Sequence, residues 1–124
     1  MLLVSCSDGA EQSADCIIDQ GSCIKKTGKA EIIFDITPKP VKAMRELMFT
    51  VTIKGGKSPE TLPMGLSMPG MYMGKNEVLL RKSADGTFSG TSIIPRCPSG
   101  KKLWQAEVEI PGEGRVFYRF DVHY

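Results

Sequence analysis

Residues 64–73 read Met-Gly-Leu-Ser-Met-Pro-Gly-Met-Tyr-Met. Seven methionines in 124 residues lead to an expectation of about 0.6 in a ten-residue window. This window holds four: Met64, Met68, Met71 and Met73. A flexible apolar side chain gains little from a place in a loop, so the concentration points to chemistry or to contact. A thioether is a soft, neutral donor that loses no proton on binding, and ligands of this kind select Cu(I) over hard cations. The Pro69-Gly70 step can turn the chain and bring Met68 back towards Met71. In an extended segment Met71 and Met73 point the same way, about 6.5–7 Å apart. Such a set would carry an ion and would not catalyse a reaction. His123 would add an imidazole if the last strand ended nearby. Its alternation with Phe120 and Val122 instead predicts solvent exposure. The competing reading is structural, with Met64 and Met68 plugging the open end of a β-domain under Tyr72 and Trp104. Met44 and Met48, four apart near the start of a strand, are assigned to core packing.

The cysteines are the second chemical resource. Leu3-Val4-Ser5-Cys6 has the order of a bacterial lipobox, with Cys6 as the lipidation site, although a basic start and longer apolar run do not precede it. The small polar residues 7–15 read as a flexible tether. Cys16, Cys23 and Cys97 are disulfide candidates in an oxidising compartment, one thiol being left over. Six residues separate Cys16 from Cys23, so neither a redox CxxC nor a zinc-ribbon half is present. Spacing leaves the pairing open. A bond involving Cys97 is favoured, because it would close the longer loop and constrain the unfolded chain most.

Elements able to position these residues begin near position 30. Ile32, Phe34 and Ile36 alternate before Pro38 and Pro40; Phe49, Val51 and Ile53 alternate before Lys54-Gly55-Gly56. Val78 and Leu80 lead through Ala84-Asp85-Gly86 into Phe88 and Ile93-Ile94. Trp104, Ala106, Val108 and Ile110 precede Pro111-Gly112, and Val116, Tyr118, Phe120 and Val122 make the last run. With a short strand near 66–73, the expectation is an all-β, immunoglobulin-like antiparallel β-sandwich of about seven strands. Only Val41–Met48 suggests a helical turn. The organisation is a lipobox-like start, tether and Cys-containing segment over 1–29, then one β-domain over 30–124.

Composition removes most other functions. Sixteen Lys and Arg against fourteen Asp and Glu leave a net +2, too weak a field for nucleic acid or an anionic membrane surface. One histidine argues against a multi-His zinc centre or a Ser-His-Asp triad. Gly-rich phosphate loops are absent from the sequence.

Ile36-Thr37-Pro38-Lys39-Pro40-Val41-Lys42-Ala43-Met44, followed by Leu47-Met48-Phe49-Thr50-Val51, resembles the opening of a YtkA-like domain, a family related to FixH. Met68-Pro69-Gly70-Met71-x-Met73-Gly74, Gly86-Thr87-Phe88-Ser89-Gly90, Arg96-Cys97-Pro98-Ser99-Gly100 and Trp104-Gln105-Ala106-Glu107-Val108 continue the likeness over about residues 30–122. The resemblance implies a small extracytoplasmic, lipoprotein-type sandwich associated with copper handling or oxidase assembly. The Met-Pro-Gly-Met corner is also similar to loops of periplasmic copper carriers, which pair methionine with histidine. This loop has no histidine, which leaves Cu(I) as its copper state.

Three functional expectations follow. The first is an envelope-tethered, non-enzymatic module with Cu(I) as its cofactor, held by Met68, Met71 and Met73 with Met64 as a fourth ligand. It would pass the ion to a copper-accepting or membrane protein partner, touch the membrane through its lipid anchor alone, and bind no nucleic acid. The second is a metal-free envelope interaction module using the same methionines as a contact patch. The third, ranked last, is a thiol enzyme using Cys97, its pKa lowered by Arg96.

Overall fold

The computed structural model describes residues 14–56, 59–69, 76–96 and 102–124. A 3-10 turn, Ile18–Gln20, precedes eight strands: β1 (Cys23–Thr27), β2 (Ala30–Thr37), β3 (Glu46–Lys54), β4 (Thr61–Ser67), β5 (Glu77–Lys82), β6 (Phe88–Ile93), β7 (Leu103–Ile110) and β8 (Gly114–Asp121). The all-β, antiparallel expectation holds. The count is eight, in one continuous sheet ordered β1-β2-β3-β6-β5-β4-β7-β8, in place of about seven in two separate layers.

Period-two patterning explains the long strands. Ala30, Ile32, Phe34 and Ile36 of β2, and Trp104, Ala106, Val108 and Ile110 of β7, all face inward and are buried. Two four-stranded halves join through a narrow hinge, because β5 meets β6 only at Arg81↔Ser89 and Lys82↔Phe88. The apolar faces then meet. Phe34 of β2 stacks on Tyr118 of β8, ring centroids 4.7 Å apart. The Tyr118 hydroxyl donates to the Ile32 carbonyl at 2.7 Å, and burial holds its phenol above the ordinary value, keeping the proton in that bond.

The outer strands, β1 and β8, approach each other and curl the sheet nearly into a barrel. Side chains and the N-terminal segment close this seam. Lys25 Nζ donates to the Phe117 carbonyl and pairs with Asp15 at 2.6 Å. Thr27 Oγ1 donates to the Glu113 carbonyl at 3.0 Å. The amides of Asp15 and Cys16 both donate to the Arg119 carbonyl, and the Arg119 amide returns a bond to Asp15 Oδ1.

Two local expectations are corrected, and one strand is added. The disulfide joins Cys16 to Cys23, Cα atoms 5.9 Å apart, because the 3-10 turn folds Cys16 back onto the start of β1. Cys97, favoured as a partner, lies outside the described residues. Val41–Met48 forms no helical turn: Val41 and Ala43 hydrogen-bond to His123, and β3 has begun by Glu46. Strand β1, Cys-Ile-Lys-Lys-Thr, went unread because an edge strand carrying two lysines lacks the apolar alternation of a buried one.

Replacing both Cys16 and Cys23 with serine should lower unfolding free energy by about 2–3 kcal/mol, the loop-closure value for so short a loop. Urea denaturation checks it, and an unchanged midpoint would mean that the turn is held by its polar contacts alone.

Candidate functional site

Strand directions sort the loops between the two ends of the domain. The starts of β1, β3, β5 and β7 and the finishes of β2, β4, β6 and β8 share one end. That end therefore gathers the 3-10 turn, the 38–45 connection, Met68 and Pro69, Ile94–Arg96 and the C-terminal His123 and Tyr124. The chain leaves β4 through Met68 and Pro69 and returns at Asn76, whose carbonyl accepts from the Leu66 amide at 2.8 Å. Met71 and Met73 lie outside the described residues, as does Cys6.

The described methionines divide in an unexpected way. Met64 is fully buried on β4, in register between Val78 and Val108. Met68, at 2% exposure, is also in the core. Continuing the β4–β7 register past Ser67↔Gln105 sets it opposite Trp104, which is equally buried. The indole Nε1 of Trp104 has no hydrogen-bond partner. Met44 and Met48, assigned to the core by their spacing, are instead 65% and 45% exposed. The correction has a backbone cause. Met48 falls on the outward row of β3, between buried Leu47 and Phe49. Met44 adopts φ 64°, a left-handed conformation costing a residue with a Cβ roughly 1–2 kcal/mol. Two bonds hold it there, the Ala43 amide to the His123 carbonyl and the Met44 amide to the Ile94 carbonyl, both 2.8 Å.

His123 is exposed, as its alternation predicts, and it is also oriented. Its amide donates to the Val41 carbonyl at 2.9 Å, and residues 42 and 123 form a parallel bridge. Its Nε2 lies 2.6 Å from Asp19 Oδ2, while Asp19 Oδ1 accepts the Val41 amide at 2.8 Å. Burial pulls the Asp19 carboxyl upward. The Val41 amide, the His123 ring and the positive charge of His123 and Lys39 outweigh that pull and hold it below the ordinary carboxylate value. Asp19 was not singled out from the sequence: it sits alone between two cysteines, and nothing local links it to a residue about a hundred positions away. A cleft of about 420 Å³ lies beside this pair, walled by Ile17 and Ile18 and edged by Asp121. A second hollow, about 480 Å³, surrounds Gly65 on the outer face. It exists because Gly65 has no side chain between Glu77 and Glu107, its register partners. Arg115 pairs with Glu107 at 2.9 Å there, as on an ordinary solvated charged face. Among the described residues, no group of three or more His, Cys, Asp and Glu side chains could hold a metal ion. No helix among them is long and apolar enough to cross a membrane.

Met64→Ala should cost about 2–5 kcal/mol, as for other buried methionines, whereas Met44→Ala should stay within about 0.5 kcal/mol; chemical denaturation of both variants checks the contrast. Because the folded Asp19 carboxyl is depressed, its stabilisation is present above about pH 4 and lost as pH falls through the folded value. Asp19→Asn should therefore flatten the acid limb of a stability–pH curve. Compared with known proteins, the chain matches no family model, no curated protein and no solved structure.

Proposed function

We propose that this domain is a non-enzymatic, copper-handling module of the bacterial cell envelope, of YtkA-like type, tethered through a lipid on Cys6. Cu(I) is held by Met68, Met71 and Met73 and passed by thioether exchange to a copper-accepting or membrane protein partner. Weak neutral donors release the ion readily, as transfer requires. The observation that carries this reading is the methionine run itself, which begins at the end of β4. Met64, the fourth candidate, and Met68 are both buried in the core, so the sulfur chemistry rests first on Met71 and Met73, and Met68 joins them only by turning its thioether outward. The Cys16–Cys23 disulfide fits an oxidising compartment. An immunoglobulin-like reading of the fold also has support: β2-β3-β6 and β4-β7-β8 follow the A-B-E and C-F-G connectivity of that class.

A second reading has its own observation. Met44, Met48 and Ile93, at 65%, 45% and 51% exposure, lie near the same end. They suit a metal-free contact surface for another envelope protein.

Anaerobic competition with a chromogenic Cu(I) chelator separates the two. The intact chain should bind one equivalent, and a Met68→Leu/Met71→Leu/Met73→Leu variant should bind none while keeping its fold, since leucine preserves the buried volume at position 68. Absence of binding by the intact, folded chain would overturn the copper reading.

A further inference from the structure

We propose that Asp121 and His123 form a separate site for a borderline divalent cation, Cu(II) above all, in the cleft between the end of β8 and the N-terminal turn. The ring of His123 is aimed, which solvent exposure alone would not require. Its backbone is bonded on both sides to the 41–43 segment, and its Nε2 meets Asp19 Oδ2 at 2.6 Å. An ionised carboxylate only accepts, so the Nε2 atom carries a proton, and Nδ1 is the ring nitrogen left to meet a cation. A carboxylate fixing the tautomer of a half-exposed imidazole is the usual outer support of a metal-ligating histidine.

Asp121 supplies the second donor. It stands two residues before His123, on the same outward row, with buried Val122 between them. It has no ion-pair partner among the described residues, and both residues edge the same cleft. An imidazole nitrogen and a carboxylate oxygen suit borderline divalent ions, among which the Irving–Williams order places Cu(II) first. Water would fill the remaining positions. Cys16, which also borders the cleft, is bound in its disulfide and offers no thiolate. Asp19 acts here as a positioning residue. The site does not depend on the methionine reading, because its donors and its preferred oxidation state differ.

The test uses the intact, disulfide-bonded chain and Cu(II) alone. Electron paramagnetic resonance should show one equivalent bound with a single nitrogen coupling. His123→Gln should abolish that signal, and Asp121→Asn should weaken binding about tenfold. Asp19→Asn should weaken it by 10-fold or more, the range for such supporting carboxylates. In the metal-free protein, at a pH where the ring is neutral, long-range proton–nitrogen correlation should find Nδ1 unprotonated in the wild type and a mixed tautomer in Asp19→Asn, a change that lost stability alone would not produce. The Met68→Leu/Met71→Leu/Met73→Leu variant should bind Cu(II) as the wild type does. No stoichiometric binding, or binding unchanged in a folded His123→Gln variant, would overturn the proposal.

Discussion

An eight-stranded sheet with one apolar face must bring that face against itself, and here the difficulty concentrates where β1 meets β8. No ladder of backbone bonds joins these two strands. Lys25 and Asp15 do so through the Phe117 carbonyl and the Arg119 amide of β8, and Thr27 through the Glu113 carbonyl just before it. The bonds of Lys25 and Asp15 are charge-assisted and stronger than neutral ones, and that of Thr27 is partly buried. The stacking of Phe34 on Tyr118 depends on this closure, because the two rings sit on strands on either side of β1. So does the placement of Asp19. The segment that closes the seam is the one that carries the 3-10 turn to the end of β8.

That dependence explains which features could be read from the sequence. Strands β2, β3, β7 and β8 are buried on one face and exposed on the other, so Ile32-Phe34-Ile36 or Val116-Tyr118-Phe120 declares itself by period alone. The turn at Ala84-Asp85-Gly86 was legible for a similar local reason: the Asp85 side chain accepts the Thr87 amide, a contact within three residues. β1 was not legible, since its pairing with β2 and its role at the seam come from partners far along the chain. The Cys16–Cys23 bond was open for the same reason; its geometry depends on a turn stabilised by Val41, Lys39 and His123.

The methionines show how far spacing can mislead. Met44 and Met48 are separated as a helix would separate two core residues, yet Val41 and Ala43 are drawn into a strand-like pairing with His123 and the helix never starts. Met64 belongs to a run whose prolines and glycines read as loop. Leu62, Met64 and Leu66 nevertheless alternate inward, and Pro63 and Gly65 occupy the outward row, where neither disturbs the core. The part of the candidate site that remained legible is its chemistry, the thioethers and the single imidazole. Its support, Asp19 and the 41–43 segment, belongs to tertiary structure.

Ala14 lines the same cleft as Asp121 and His123. About eight residues separate Ala14 from Cys6, a reach of at most roughly 29 Å when fully extended. With a lipid on Cys6, the end of the domain bearing Met68 and His123 would be leashed close to the bilayer, and the opposite end, with the turns at Gly28, Gly86 and Gly112, would face away. Pulling on such a leash would load the Asp15–Arg119 contacts first and the disulfide next, so an anchor there would bear on the same few bonds as the seam.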